Sequence, residues 1–294
     1  VAEVAIAVEA VQAGVAAVGT VVDAAPADAA IANRRVLVPS REPCGECEVC
    51  RRGGASACPT ARVHALSPGT RELRASTRWL VELGDGLDLP GPAAAAAGGD
   101  VAIAYTLYAR AGIGPADAVV VTGTSAVARF AIDILRGKGI APVVVVAADA
   151  AAGWREHLAA AGVATAAADA AAITAALAAT GGAPRSTRPW RIVAAGSGAV
   201  ASALALAGPR AQITAWIAAH DAPTDAAAMH AALAREATIA GVTAAHPDLV
   251  LEAAAMIARG EVDLFAGVVV ARADATWPTH PFKTVVHVSA HVSA

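Results

Sequence analysis

Residues 43–58 read Pro43-Cys44-Gly45-Glu46-Cys47-Glu48-Val49-Cys50-Arg51-Arg52-Gly53-Gly54-Ala55-Ser56-Ala57-Cys58, and they hold all four cysteines of the chain. The spacing, C-x2-C-x2-C-x7-C, is short enough for one loop to close tetrahedrally around Zn²⁺, with Gly45, Gly53 and Gly54 permitting the tight turns. Four thiolates fill the coordination sphere and leave no open position, so the expected ion is structural, one zinc per chain. Two other fates remain open to such a set. Four thiols can pair as two disulfides, which the lack of a secretion signal disfavours, or hold an iron–sulfur cluster.

Beyond the loop, from about Pro115, strand-like and helix-like patterns alternate. Residues 118–121 form an apolar run, 126–138 a helical pattern and 143–146 a second run, Val143-Val144-Val145-Val146, which together make a βαβ unit. Gly123-Thr124-Ser125-Ala126-Val127-Ala128 occupies the place of a G-x-G-x-x-G dinucleotide fingerprint, of which only the first glycine stands. Gly123 supplies the turn, Ser125 is small enough for a pyrophosphate to approach, and Ala126 and Val127 open the helix whose N-terminus would face it. Asp149, at the end of the second run, stands where an acidic residue would bond a ribose and favour NAD over NADP; a solvated loop aspartate is the other reading. A second set follows, with a strand at 191–195, Gly196-Ser197-Gly198, a helix at 199–206 and a strand at 212–217. By themselves Gly196 and Gly198 read as a packing turn between that strand and helix. Pro247 and Asp248 suit a helix start, and Gly260 its stop.

With 294 residues and 56 % hydrophobic content, the chain can bury a large core, and its length suits two domains. A formal net charge of −3 provides no basic stripe, so nucleic acid is not expected as a partner and a small-molecule substrate is. The longest uncharged run, 192–209, is broken by Gly196, Gly198 and Gly208 and reads as strand, turn and helix, not as a membrane span. With no leader pattern at its N-terminus, the protein is expected in the cytoplasm.

The strand Arg34-Arg35-Val36-Leu37-Val38-Pro39 leading into the cysteine array resembles the lobe loop of zinc-containing medium-chain dehydrogenases, the alcohol dehydrogenase type. The resemblance spans nearly the whole chain. It implies an α/β protein with a GroES-like, mainly β catalytic-type domain over 1–110 that carries the zinc loop at 44–58. A Rossmann-type doubly wound dinucleotide-binding domain follows over 111–245. A late helix and C-terminal strands over 246–294 then return to the first domain. The opening at Val1, almost directly in an apolar alternation, suggests a fragment or a chain truncated at its N-terminus. The resemblance also implies NAD or NADP as cofactor, with backbone at Gly196 and Gly198 contacting it unless these only form a packing turn, and a homodimer, for which 212–217 and 268–271 are candidate edge strands.

The family's catalytic zinc ligands have no counterpart here. An early strand like 3–10 leads in relatives to a zinc-binding cysteine, where this chain has Gly14-Val15-Ala16-Ala17; either alignment of the next segment, Gly-His-Glu in relatives, also removes its ligand. The third ligand would precede the helix containing Tyr105 and Tyr108, where Gly99 and Asp100 stand, and Asp100 alone cannot make a three-ligand site. The expected activity is therefore NAD(P)-dependent hydride transfer to or from an alcohol, carbonyl or activated alkene without catalytic zinc. The alternative is a non-catalytic scaffold or binding subunit that keeps the structural zinc. Tyr105 reads as a proton donor or a core aromatic, His220 and Asp221 as cofactor contacts or surface loop, and His287 with His291 as an ordinary exposed chain end or a ligand pair.

Overall fold

The computed structural model describes residues 2–84, 87–148, 150–181, 188–196, 198–216, 226–264, 267–272 and 283–288. The chain divides into two compact units, 1–103 with 244–294, and 104–243.

The first unit opens on β1 (Glu3–Gln12), which sends Val4, Ile6, Val8 and Val11 into one core with Val21 of β2 (Ala16–Asp23) and Val36 and Val38 of β3 (Arg35–Pro39). The period of two holds to Val8 and then slips by one. A register shift between Val8 and Ala10 accounts for this, because the extra residue returns Val11 to the inner face. Ala13-Gly14-Val15 turns β1 directly into β2, with Gly14 at φ +68° and the Val15 N–H donating to the Gln12 carbonyl at 3.0 Å. β4 (Arg41–Glu42), a single helical turn α1 (Glu48–Arg51), β5 (Arg62–Val63), β6 (Glu72–Ser76), β7 (Val81–Glu82) and α2 (Gly91–Ala96) follow. A π-helical turn, Ala97–Val101, joins α2 to α3 (Ala102–Ala111), and Gly99 breaks the helical geometry there. Such turns recur at functional sites.

The second unit alternates strand and helix: β8 (Ala118–Thr122), α4 (Ala126–Gly137), β9 (Val143–Val145), α5 (Ala152–Ala160), β10 (Ala164–Ala166), α6 (Ala170–Gly181), β11 (Trp190–Ala195), α7 (Ala199–Leu206), β12 (Gln212–Trp216), α8 (Ala226–Ala234) and β13 (Thr238–Val242). All strands run parallel, in the order β10-β9-β8-β11-β12-β13. The winding reverses between β8 and β11, and ligands of such sheets bind outside the carboxyl ends of the strands at that point. Every residue of β8 is buried, as a parallel strand covered on both faces requires. One expectation fails. The run 212–217 is not an edge, because β12 bonds β11 on one side and β13 on the other. Its apolar character reflects an interior position, and β13 takes the end of the sheet.

The remaining elements complete the first unit. α9 (Pro247–Ala258) begins after His246 and stops at Arg259, with Gly260 at φ +71° just beyond, which matches the start and stop read from Pro247 and Gly260. β14 (Val268–Arg272) lies parallel to β15 (Thr284–Val288), and β15 pairs antiparallel with β1. The sheet order is β14-β15-β1-β2-β3-β7, with β6 also on β1, so β14 stands at an end and carries the exposed Val270. No described helix is long and apolar enough to cross a membrane.

Candidate functional site

Three groups of residues have the makings of sites. In the first unit, Cys44, Cys47, Cys50 and Cys58 bring their sulfurs within 4.8 Å of one another. The separations are 3.7 Å for Cys44–Cys58, 3.9 Å for Cys47–Cys58 and 4.0 Å for Cys44–Cys50. A disulfide needs about 2.05 Å. Tetrahedral coordination with Zn–S bonds of about 2.3 Å spaces thiolates by roughly 3.8 Å, so the four sulfurs fit one ion of that size. Cys47 caps α1, and backbone N–H groups point at sulfur: that of Cys44 at Cys58 (3.4 Å), of Cys47 at Cys44 (3.3 Å) and of Cys50 at Cys47 (3.5 Å).

These donors favour thiolates. The Thr60 hydroxyl, with the N–H groups of Glu46 and Cys47, brings Cys44 down to about 6, and the Cys44 N–H lowers Cys58. Burial, reinforced by its three sulfur neighbours, pushes Cys50 up to about 12. A divalent cation at the centre would relieve the repulsion that keeps the last proton on.

In the second unit Gly123 follows β8 and Gly196 follows β11, so two glycine turns lie together at the carboxyl ends of adjacent strands. Gly123 sits at φ +106°, and a Cβ there would lie 2.1 Å from the Ala195 carbonyl oxygen; Gly196 sits at φ +110°, where a Cβ would lie 2.8 Å from Ser125 Cβ. Neither position admits a side chain without movement. Ser125 caps α4, its Oγ accepting from the Ala128 N–H at 3.1 Å and donating to the Ala195 carbonyl at 2.9 Å. That hydroxyl is thereby engaged within the protein, so what this turn offers a ligand is backbone. Ala126 and Val127 form the first turn of α4, where N–H groups lack intrahelical acceptors and the helix dipole favours an anion. Gly198, at φ +71°, begins α7. The structure thus brings Gly123, Ser125, Ala126, Val127 and Gly196 together, with Gly198 two residues on. Asp149, Ser197, His220, Asp221 and His291 lie outside the described residues, and His287, expected in an exposed end, is instead buried in β15 because that strand pairs with β1.

The third group surrounds Asp100. It is 8 % exposed, and its Oδ2 accepts from the Thr284 hydroxyl at 2.7 Å, while its N–H donates to Gln12 Oε1 at 3.2 Å. Burial raises its pKa, against the lowering effect of Thr284 and Gln12. The cluster ties β1, the π-helical turn and β15 together. Tyr105, on α3, is half-buried and stacks on Tyr108 at 5.9 Å.

Sequence reasoning located Asp100 but missed Gln12 and Thr284, which nothing sets apart from the other polar residues of their strands, Glu3 and Glu9 in β1 and His287 in β15. It also passed over His64, which lies 3.1 Å from the buried Glu42 carboxylate. Burial pushes Glu42 upward, yet bonds from His64 and the Ser76 N–H, with the charges of His64 and Arg62, hold it below its usual value. His246 reaches from the start of α9 to the Gly53 carbonyl of the cysteine loop, 3.2 Å away, and so braces that loop. In the second unit, buried Arg129 on α4 donates through Nε to His157 Nε2 at 3.1 Å, a pairing between helices with no sequence signature.

No family model and no curated protein matches the sequence. Solved structures do match along nearly the whole chain. Galactitol-1-phosphate dehydrogenase from Escherichia coli superposes with a TM-score of 0.76 at 14 % identity, covering 97 % of this chain and 92 % of that one. A short chain alcohol dehydrogenase from E. coli CFT073, complexed with NADH, gives 0.74 at 16 % identity, with 97 % and 91 % covered. A protein from Sinorhizobium meliloti 1021 described as a zinc-binding dehydrogenase, bound to NADP, gives 0.73 at 16 % identity, with 97 % and 92 % covered. The chain therefore has the fold of the zinc-binding alcohol dehydrogenases, a GroES-like unit with a Rossmann-type unit, as the cysteine array and the βαβ pattern led us to expect.

Proposed function

We propose that this protein is an NAD(P)-dependent oxidoreductase of alcohol dehydrogenase type that transfers hydride to or from an alcohol, carbonyl or activated alkene without catalytic zinc. In this reading Cys44, Cys47, Cys50 and Cys58 hold one structural zinc. The observation that carries it is the pair of turns at Gly123 and Gly196 at the point where the sheet reverses its winding, beside the N-terminus of α4. Two matching structures hold NADH and NADP respectively, which supports a dinucleotide as the occupant.

Gly123 and Gly196 let the ends of β8 and β11 and the cap of α4 pack closely, and the N–H groups of Ala126 and Val127 would orient a pyrophosphate. A bound nicotinamide would supply the hydride. The metal-free reading draws support from the direct hairpin between Gln12 and Ala16 and from Asp100, whose carboxyl is engaged by Thr284 and Gln12. Among the described residues, the side chains of ligand type that gather closely enough to share an ion are the four cysteines. The same engagement of Asp100 favours a second reading, a scaffold that binds dinucleotide and does not turn over. We also take the protein to be a homodimer, paired along β13.

Metal content by mass spectrometry, with NAD(H) and NADP(H) titrations and a panel of alcohols, ketones and enones, tests these readings. One zinc per chain with binding and turnover is the expected result, and stripping that zinc with a chelator should lower the melting temperature of the first unit while dinucleotide binding persists. One zinc with binding and no turnover selects the scaffold. Two zincs per chain would overturn the metal-free reading.

A further inference from the structure

The parallel sheet of the second unit has a second end. Its carboxyl ends carry Gly123 and Gly196, whereas Asp117, Arg188, Pro189, Arg191, Arg210 and Gln212, at its amino ends, line a cavity of about 390 Å³. Strand register gathers these residues, because Trp190 pairs with Ala118 and Arg191 with Gln212. β8 separates this groove from the turns at Gly123 and Gly196 by roughly 17 Å, the length of five residues at about 3.3 Å each.

The charge is unusual for this protein. The chain carries a net −3, yet the groove sets three guanidinium groups against one carboxylate. That carboxylate is already committed: Asp117 Oδ2 accepts from the Gly114 N–H at 2.8 Å and lies 3.6 Å from Arg191 Nε, holding that side chain against the wall. Among the described residues, the guanidinium groups of Arg188 and Arg210 make no hydrogen bond or ion pair. Arg210 also occupies the left-handed region, at φ +58°, where glycine would sit without strain. Nor is its side chain needed to cap α7, because Arg235 Nη1 already donates to the Ala207 carbonyl at 2.9 Å, while the Arg210 N–H donates to the Arg235 carbonyl at 2.8 Å.

We propose that this groove is a binding site for a phosphoryl group, carried by a phosphate monoester or as the free ion, independent of the turns at Gly123 and Gly196. Its net charge of +2 complements a phosphate monoester, which carries about −1.5 to −2 at neutral pH. Guanidinium forks match phosphate oxygens bidentately. This end of the sheet faces helix C-termini, whose dipoles disfavour anions, so three arginines are what an anion site here requires. The volume exceeds that of a phosphoryl group and leaves room for part of an organic moiety. The site does not depend on the redox reading.

Calorimetric titration of the full chain at constant ionic strength, with inorganic phosphate and with glycerol 3-phosphate, tests the proposal against sodium chloride. Saturable binding of one phosphoryl group per chain is expected, at least tenfold weaker in the Arg188→Gln/Arg210→Gly variant and unchanged by saturating NADH. Arg210→Gly relieves a left-handed side chain, so the variant should melt no lower than the parent in phosphate-free buffer. Arg188→Gln alone, at an exposed side chain, repeats the test should the double variant be unstable. Tighter binding of glycerol 3-phosphate identifies a phosphorylated metabolite as the ligand, and equal or tighter binding of inorganic phosphate identifies the free ion. Heats no greater than those of chloride, equal affinity in parent and variants, or displacement by NADH would each overturn the proposal.

Discussion

A carboxyl group that is 8 % exposed is better accommodated as an acid than as a carboxylate, and burial raises the pKa of Asp100 against the lowering effect of the Thr284 hydroxyl 2.7 Å away. The folded state therefore binds this proton more tightly than the unfolded state does. Stability contributed by Asp100 is complete below its ordinary value of 3.8 and is lost as pH rises through the raised folded value. Asp100→Asn keeps a neutral acceptor for Thr284 and cannot ionise, so it should flatten this loss; urea unfolding of parent and variant from acid to alkaline pH should give curves that converge at low pH, with the variant the more stable at high pH. Asp100→Ala instead leaves the Thr284 hydroxyl without its acceptor and should cost about 2 kcal/mol at low pH, where the contribution of Asp100 is complete, and less as pH rises. The position of Asp100 was legible in the sequence through its place before the tyrosine-bearing helix. Its partners were not, because Gln12 lies 88 residues away and Thr284 184, and nothing local in either strand marks a polar cluster.

At the level of elements, what could be read was what repeats over a few residues. The runs at β8 and β9 are continuous because both faces are covered, and Pro247 and Gly260 bracket α9 by fixing backbone angles. The slip in β1 and the π-helical turn at Ala97–Val101 escaped, because a bulge changes pairing without changing composition and an alanine-rich run supports any helical geometry. The dinucleotide turn is the intermediate case. Gly123 was recognised from its place after a strand, whereas the need for it comes from β11, whose Ala195 carbonyl fills the space a side chain would take. Gly123→Ala must therefore displace backbone as well as adopt φ +106°, and the left-handed penalty alone is about 1–2 kcal/mol. Thermal unfolding should register that loss, and NADH titration should register weaker binding even well below the melting temperature. An alanine variant with unaltered melting and binding would mean that β8 and β11 are not so closely apposed at this end.

For the whole molecule, the four cysteines were decisive because their closure is local, spanning fifteen residues, while sheet order depends on pairings such as Ala10 with Val288 that no short pattern encodes. Strand order also decides which surface can pair with a second copy. Placing β12 inside the sheet withdraws 212–216 from that role and hands it to β13, the end strand among the described residues, whose Thr238 and Gly241 are exposed. Lysine on an edge strand blocks edge-to-edge pairing by charge and desolvation. A Cβ at Gly241 meets nothing within 4 Å, so Thr238→Lys/Gly241→Lys should leave the 28.9 kDa chain folded. Light scattering coupled to gel filtration should then give twice that mass for the parent and the single-chain mass for the variant, with matching melting curves at concentrations where both are monomeric. A parent that elutes as a monomer at every concentration removes the dimer altogether. A variant that stays dimeric moves the interface off β13, to which β14, the end strand of the other sheet with Val270 exposed, is the next candidate.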